Sequence, residues 1–378
     1  MRRLISEPFR FNVDVDVIFS KMRITAEERR IFFSQTTTDF GSLAGAYRAT
    51  RSKVPLLDQY DFTAFRTYPL VYTREERDIV TCIDSALLAE KISTGVYYTI
   101  KKSLEEGAKA SEAARRDHDS FLGHWGSVFE IYANDRLRGV RSPGLKRFYD
   151  SPRYDDPPSR SDTEAFDAVL DYGKSLVVIE HKGKYLELGA KYSGRRELFL
   201  AELKGTKRIG KGVYQLADNI QLVFNNEPGA RRHTFHERGE GRLHVKQFGL
   251  KEIARVRRIY PVIVHQDFSL GFNGVNQIMS RFFRTEIARR QVDQEMVRPL
   301  SLLTIEDLEV IIPYLAAIPL PEILEEYAAY DDPLTTFDKI FKRLCRRRRT
   351  AMRDSPWIER RKEDLGDELM GLFVDFSE

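Results

Sequence analysis

The chain holds only two cysteines, Cys82 and Cys345, in 378 residues. Two isolated cysteines exclude a disulfide scaffold and any cysteine-based zinc module, and they make a reducing cytoplasm the expected setting. Long hydrophobic runs are also missing. Stretches such as Leu176–Ile179 and Val310–Leu320 fall far short of the roughly 20 apolar residues a membrane span needs, so no membrane partner is expected. The opening Met1-Arg2-Arg3-Leu4-Ile5-Ser6-Glu7 is basic without an apolar stretch, and no secretory signal peptide is expected there. No repeat is visible at a period of about 20–50 residues, which excludes solenoids and propellers. No phosphate-cradling GxxxxGK[ST] motif occurs, so any energy-driven step would need a partner protein. An excess of one charge sign is lacking too. Lys and Arg number 61 against 57 Asp and Glu, a formal net charge of +4. That balance excludes a uniformly basic chromatin-type protein. It does not exclude nucleic acid as a partner, because binding depends on where charge sits.

What is present suits folded domains. Apolar residues make up 42% and charged residues 31% of the chain, the latter somewhat above the average of about a quarter. At about 100–200 residues per domain, two or three units are expected. Composition suggests an N-terminal α+β region over 1–115, a central region over 116–292 and a helical C-terminal region over 293–378. In the first, Phe9–Val17 alternates with the period of a strand, a Thr/Gly/Ser-rich passage covers Thr36–Gly45, and Asp78–Leu88 and Ala108–Arg116 have helical periodicity. In the second, a helix is expected over Phe121–Ala133. A Pro/Asp/Arg/Ser-rich loop (Ser142–Ser161) leads to strands Ala165–Asp171 and Leu176–Lys182, joined through Asp171-Tyr172-Gly173-Lys174, which has tight-turn chemistry. Glu197–Leu203 reads as strand or short helix, Val213–Phe224 as helix and Arg258–His265 as strand. In the third, Leu302–Leu315, Pro321–Ala329 and Asp338–Arg353 read as helices. The last of these carries Lys339, Lys342, Arg343, Arg346–Arg349 and Arg353, whereas Glu363–Glu378 contains acids and no bases.

The chemistry gathers in the two central strands. Side chains at i and i+2 share a strand face, so Leu176, Val178, Glu180 and Lys182 point one way and Val177, Ile179 and His181 the other. A strand apolar on both faces is buried, and an acid and a base at its end are costly there unless they serve a purpose. Asp167 interrupts the apolar run Phe166–Leu170, and the hairpin can bring it beside Glu180. Adjacent carboxylates raise each other's pKa unless a cation joins them. Hard oxygen ligands suit Mg²⁺, for which Mn²⁺ can substitute, and a lysine beside such an ion can orient a water or stabilise developing charge.

Asp167 followed thirteen residues later by Glu180-His181-Lys182, after a helix bearing Glu130, resembles the PD-(D/E)xK nuclease superfamily. Gly126-Ser127-Val128-Phe129-Glu130 is similar to the acidic first helix of its core, and Gly212-Val213-Tyr214-Gln215-Leu216 to the later helix whose Gln often supports the site. No Pro precedes Asp167; Phe166 stands there. The resemblance covers the middle of the chain only. It implies an α/β (α+β) fold with a restriction-endonuclease-like core, a mixed central sheet flanked by helices in αβββαβ order. It further implies a metal-dependent endonuclease in which Asp167, Glu180 and Glu130 hold Mg²⁺, Lys182 positions the attacking water and Gln215 orients Lys182 or the substrate. DNA is the implied substrate, with RNA the other. A role in bacterial defence against phage or plasmid, acting as a homo-oligomer or with a partner protein, is the implied setting.

Several rival readings accompany this one. Glu202-Leu203-Lys204 is a second ExK signature, with Glu180 then serving as first acid. Asp167, Glu180 and Lys182 could form a plain cross-strand charge cluster, and the fold could be a non-catalytic nucleic-acid or protein-binding module. Asp162 and Glu164 read as loop acids. His233 and His236 read as a polar loop, since zinc sites need three or four ligands; His124 reads as a packing residue. Lys204, Lys207, Arg208 and Lys211, in a stretch expected to be a flexible loop through Gly205 and Gly210, are the candidates for contacts to the substrate backbone. Arg346–Arg349 is a second candidate that the acidic tail could mask.

Overall fold

A computed structural model describes residues 12–14, 25–50, 63–72, 79–92, 94–155, 163–193, 195–206, 208–225, 232–237 and 246–350. The fold is α+β, with mixed sheets and many helices, and the chain divides into two compact units. The first holds the described residues up to Leu122 together with Glu187–Phe199; the second holds Gly123–Leu186 and the described residues from Leu200 onward. Among the described residues no helix is long and apolar enough to cross a membrane.

The first unit contains a small sheet in the order Asn12–Asp14, Ile79–Cys82, Leu70–Tyr72, Thr37–Thr38. Of the alternating stretch Phe9–Val17, Asn12–Asp14 forms a strand and the remainder lies outside the described residues. Asp78–Leu88 is not the helix that its periodicity predicts: Ile79–Cys82 pairs as a strand and a helix begins only at Ser85. Residues 187–199 contribute the helix Leu188–Tyr192 to this unit, where Lys191 meets Glu90 at 3.1 Å.

The second unit is built on a five-stranded sheet. Helix α1 (Glu112–Arg138) belongs to this unit from Gly123 onward and leads to β1 (Arg147–Asp150), β2 (Ala168–Asp171) and β3 (Ser175–Lys182). These three strands form an antiparallel meander. The β2–β3 turn closes as its residues predict: Gly173 adopts φ +81°, a conformation open mainly to glycine, and its N–H donates to Asp171 Oδ1 at 2.7 Å. Helix α2 (Arg208–Phe224) then carries the chain to β4 (Arg258–His265), which runs parallel to β3 in register from Arg258 opposite Ser175 to His265 opposite Lys182. After α3 (Asn273–Arg289), β5 (Ser301–Thr304) adds parallel to β4. The sheet order is thus β1-β2-β3-β4-β5.

Both faces of the sheet are covered. Phe129, Ala133 and Leu137 of α1, with the helices α4 (Ile305–Ile311), α5 (Leu320–Ala328) and α6 (Phe337–Arg347), pack on Val177, Ile179, Tyr260, Val262 and Val264. On the other face lies α2, whose Val213, Leu216, Ala217 and Ile220 are buried. The C-terminal region therefore shares a core with the central region. It opens with a strand where Leu302–Leu315 has the pattern of a helix, because Leu302 and Leu303 complete the sheet beside Ile263 and Val264.

Leu303 is fully buried in this shared core. Leu303→Ala is therefore expected to cost about 2–5 kcal/mol. Urea unfolding should show the loss in the same single transition that Val177→Ala lowers; two separate transitions would mean that the C-terminal helices fold on their own.

Candidate functional site

The sequence-derived residues meet at one end of the sheet. Asp167 immediately precedes β2, and its N–H donates to Ile179 O at 3.2 Å, which carries the β2–β3 register one step further and sets Asp167 opposite Glu180. Its carboxylate Oδ2 accepts the His181 N–H at 2.5 Å, and its carbonyl accepts Asn134 Nδ2 at 3.0 Å and the Ser151 N–H at 3.0 Å. The acid is thus anchored from β3, α1 and the end of β1. Glu180, only 2% exposed, forms an ion pair with Lys182. The Lys182 ammonium also donates to Gln215 Oε1 of α2 at 3.0 Å.

Helix α2 reaches this position because its first turns carry no side chain at Gly212. A Cβ there would stand 2.9 Å from Lys182 Cε, 3.2 Å from Ile263 Cδ1 and 3.5 Å from Glu180 Cγ. Gly212 and Gln215 are three apart and share a helix face, so the residue that permits close approach and the residue that uses it sit one above the other. The motif similarity points to Gln215 and gives Gly212 no role.

The acids that gather most closely are Glu130, Glu164 and Asp167. One carboxylate oxygen from each lies within 4.8 Å of the others, and all three residues are half-buried. Glu130 comes from α1 and receives the Ser151 hydroxyl at 3.2 Å. Ser151 holds φ 43°, in the left-handed region that costs a non-glycine residue about 1–3 kcal/mol. The kink follows β1 directly and points the chain's hydroxyl back to α1. Glu164, read from sequence as a loop acid, belongs to the cluster. It bridges to Arg153, and the bends at Ala165 and Asp167 break the strand alternation that would otherwise send it to the opposite face from Asp167. Asp162 lies outside the described residues.

The electrostatics match crowded, desolvated acids. Burial pushes the Asp167 carboxyl well above its usual range, and the charges of Glu180 and Glu130 add to this while Lys182 opposes it. Burial raises Glu130 as well, against the Ser151 hydrogen bond. Glu164 is raised to about 7, by burial first and by Glu130 second. Three hard oxygen donors that repel one another as anions are a fitting set for a divalent cation, whose charge would remove the repulsion. Glu180 stands beside that set with its carboxylate engaged by Lys182.

Other candidates resolve differently. His181 lies on the opposite face, as its parity predicts. It is buried edge-on to Phe129 at 6.3 Å between centroids, and burial lowers its pKa to about 3, so it stays neutral. Glu202 and Lys204 lie on the helix Arg196–Lys204, where residues two apart do not share a face, so the second ExK lacks the strand geometry that the chemistry needs. His236 pairs with Asp155 at 2.6 Å and His233 stacks edge-on with Tyr154. The segment from Lys204 to Lys211 is mostly helical: Lys204 ends one helix, and Arg208 and Lys211 lie in the first turn of α2. It is not the flexible loop expected from Gly205 and Gly210. Lys204 and Lys211 are exposed, and Lys207 lies outside the described residues. At the C-terminal end of α6, Arg347 and the capping residue Arg348 pair with Glu326 and Glu322 of α5, which leaves fewer cations for phosphate. Arg353 and the acidic tail lie outside the described residues.

No known protein family, curated protein or solved structure matches the chain.

A carboxyl whose pKa is higher folded than unfolded binds more protons in the folded state. Its ionisation therefore removes stability as pH rises from the ordinary carboxylate range through the folded value. For Glu164 that window runs from about 4.5 to about 7. Without divalent cation, the thermal midpoint should fall across this window, and Glu164→Gln should flatten the fall. Added Mg²⁺ should raise the midpoint more at pH 8 than at pH 5; an equal shift at both would separate the acids from cation binding.

Proposed function

We propose that the protein is a metal-dependent nuclease that hydrolyses phosphodiester bonds, with DNA as its first substrate. The observation that carries this reading is the convergence of Asp167, Glu180, Lys182, Glu130 and Gln215 at one sheet end, with Lys182 held between Glu180 and Gln215. The element order supports it: α1, the meander β1-β2-β3, α2 and the parallel strand β4 follow the αβββαβ sequence that the PD-(D/E)xK resemblance implies.

In this reading Glu130, Glu164 and Asp167 hold the cation, with Glu180 next to them. A divalent cation there supplies Lewis-acid stabilisation of charge on the phosphoryl oxygens and lowers the pKa of a water. An ammonium has three N–H donors. Lys182 gives one to Glu180 and one to Gln215, and the third remains for the attacking water or a phosphate oxygen. Fixing the ammonium in advance means that no side chain needs to reorganise as charge develops in the transition state. Water attacks phosphorus in line with the leaving oxygen, the P–O bond on the far side breaks, and the departing oxygen takes a proton. The pair Asp167 and Glu180 could also serve a sugar or nucleotide hydrolase, but Lys182 and Gln215 would then have no task.

Plasmid cleavage in Mg²⁺ tests the reading. Asp167→Asn, which keeps shape and removes charge, is expected to abolish cleavage. Lys182→Ala should lower the rate by about 100-fold or more, and Gln215→Ala by less. The same Asp167→Asn variant should lose any protection that the wild-type chain gives bacteria against phage infection. Cleavage that survives both the Asp167 and the Lys182 changes would remove the active-site assignment. Binding without cleavage in both Mg²⁺ and Mn²⁺ would make the protein a binding module.

A further inference from the structure

Bases gather at a place that neither the motif nor the basic helix α6 marks. Between the C-terminal end of α1 and the edge strand β1 lies a groove of about 550 Å³, lined among the described residues by Arg138, Arg141, Lys146, Arg147 and Lys246 and by one acid, Glu237, with Val140, Leu145 and Phe148 also lining it. Two of these bases are engaged: Arg138 with Asp150 at 2.5 Å and Lys246 with Glu237 at 2.8 Å. Arg147 lies exposed, with its guanidinium 3.4 Å from the Gln247 carbonyl. Arg141 and Lys146 are exposed and have no ion-pair partner among the described residues. An edge strand faced with cations beside apolar side chains fits a chain of phosphates joined by sugars. A compact anion would be held by a buried, convergent set of donors, which this open groove does not provide.

The groove also leads to the acid cluster. Along β1 the chain runs from Arg147 to Asp150 and then to Ser151, whose hydroxyl holds Glu130. Along α1, Arg138 lies eight residues beyond Glu130, about 12 Å at 1.5 Å per residue. Asn134, between them, bonds both Asp150 Oδ1 at 2.8 Å and the Asp167 carbonyl at 3.0 Å. Arg138 therefore stands about 12 Å along α1 from Glu130, on the order of three nucleotide steps at about 3.4 Å of rise each.

We propose that this groove binds the phosphodiester backbone of a nucleic acid and carries it toward the acid cluster. The direction toward the cluster rests on the nuclease reading, whereas the binding itself does not. Phosphate contacts of this kind give affinity without sequence preference and make it salt-dependent.

The test is binding of the full-length chain to a labelled 30-bp duplex of DNA and to an RNA duplex of the same sequence, read by fluorescence anisotropy over a salt series. Arg141→Glu combined with Lys146→Glu is expected to weaken binding tenfold or more, and to reduce the slope of log K against log salt by about 2, one for each phosphate that is no longer neutralised. Lys339→Glu combined with Arg346→Glu changes net charge equally on α6, and is expected to leave Kd within about threefold. Unchanged thermal midpoints for both double variants will show that folding is intact. If the groove variant binds as wild type, loses no more than the α6 variant, or if the wild-type chain binds neither duplex, the proposal is overturned. The two duplexes separate DNA from RNA as the source of the phosphates. Asp167→Asn separates the two readings: it should abolish cleavage and keep binding. A wild-type chain that binds through the groove and cleaves nothing would leave the groove standing and end the nuclease reading.

Discussion

The ion pair between Glu180 and Lys182 sets the terms for everything at the end of the sheet. Strand β3 is apolar on both faces up to that point, so Glu180 is carried into a place where an unpaired carboxylate would cost several kcal/mol. Lys182, two residues on, can reach it because both side chains leave the same face of the strand. The ammonium that compensates Glu180 is itself half-buried and needs a further acceptor, which Gln215 provides. That requirement fixes the height of α2 over the sheet, and the absence of a side chain at Gly212 makes the height attainable. Asp167 is drawn into the same field from the neighbouring strand, where burial and the negative charge of Glu180 keep it protonated more readily than a surface acid. A polar arrangement of this kind is weak support for stability, so its place in the fold is better understood through what it can bind.

Some of this was legible in the sequence. The strands Ser175–Lys182 and Arg258–His265 stood out because runs of Val, Ile and Leu buried on both faces have few other homes. The turn at Gly173 and the parity that separates His181 from Glu180 and Lys182 follow from local chemistry and from the period of two. The positions of Glu130 and Gln215 followed only from a resemblance, because nothing in either helix by itself says which surface it will meet.

The remainder was decided by tertiary contacts. Ser301-Leu302-Leu303-Thr304 runs straight into a helix, and its leucines suit either state; pairing with Val262–His265 makes it a strand. Ile79–Cys82 is likewise claimed by its partners Asn12–Asp14 and Leu70–Tyr72. Glu164 reads as a loop acid because a bend in the chain, which periodicity cannot register, turns it toward Asp167. The cations of the edge groove come from α1, from the approach to β1 and from Lys246, a hundred residues further along. No window of sequence contains them together.

The path of the chain between β3 and α2 has a consequence for how the protein comes into being. Residues 187–199 leave the second unit after β3 and complete the first. The described part of the N-terminal unit is therefore complete only after the meander β1-β2-β3 has been made. That meander in turn lacks β4 until Arg258–His265 has been made and β5 until Ser301–Thr304 has been made. Neither unit can be excised with a single cut. A chain threaded this way reaches its completed five-stranded sheet only once Ser301–Thr304 has been made.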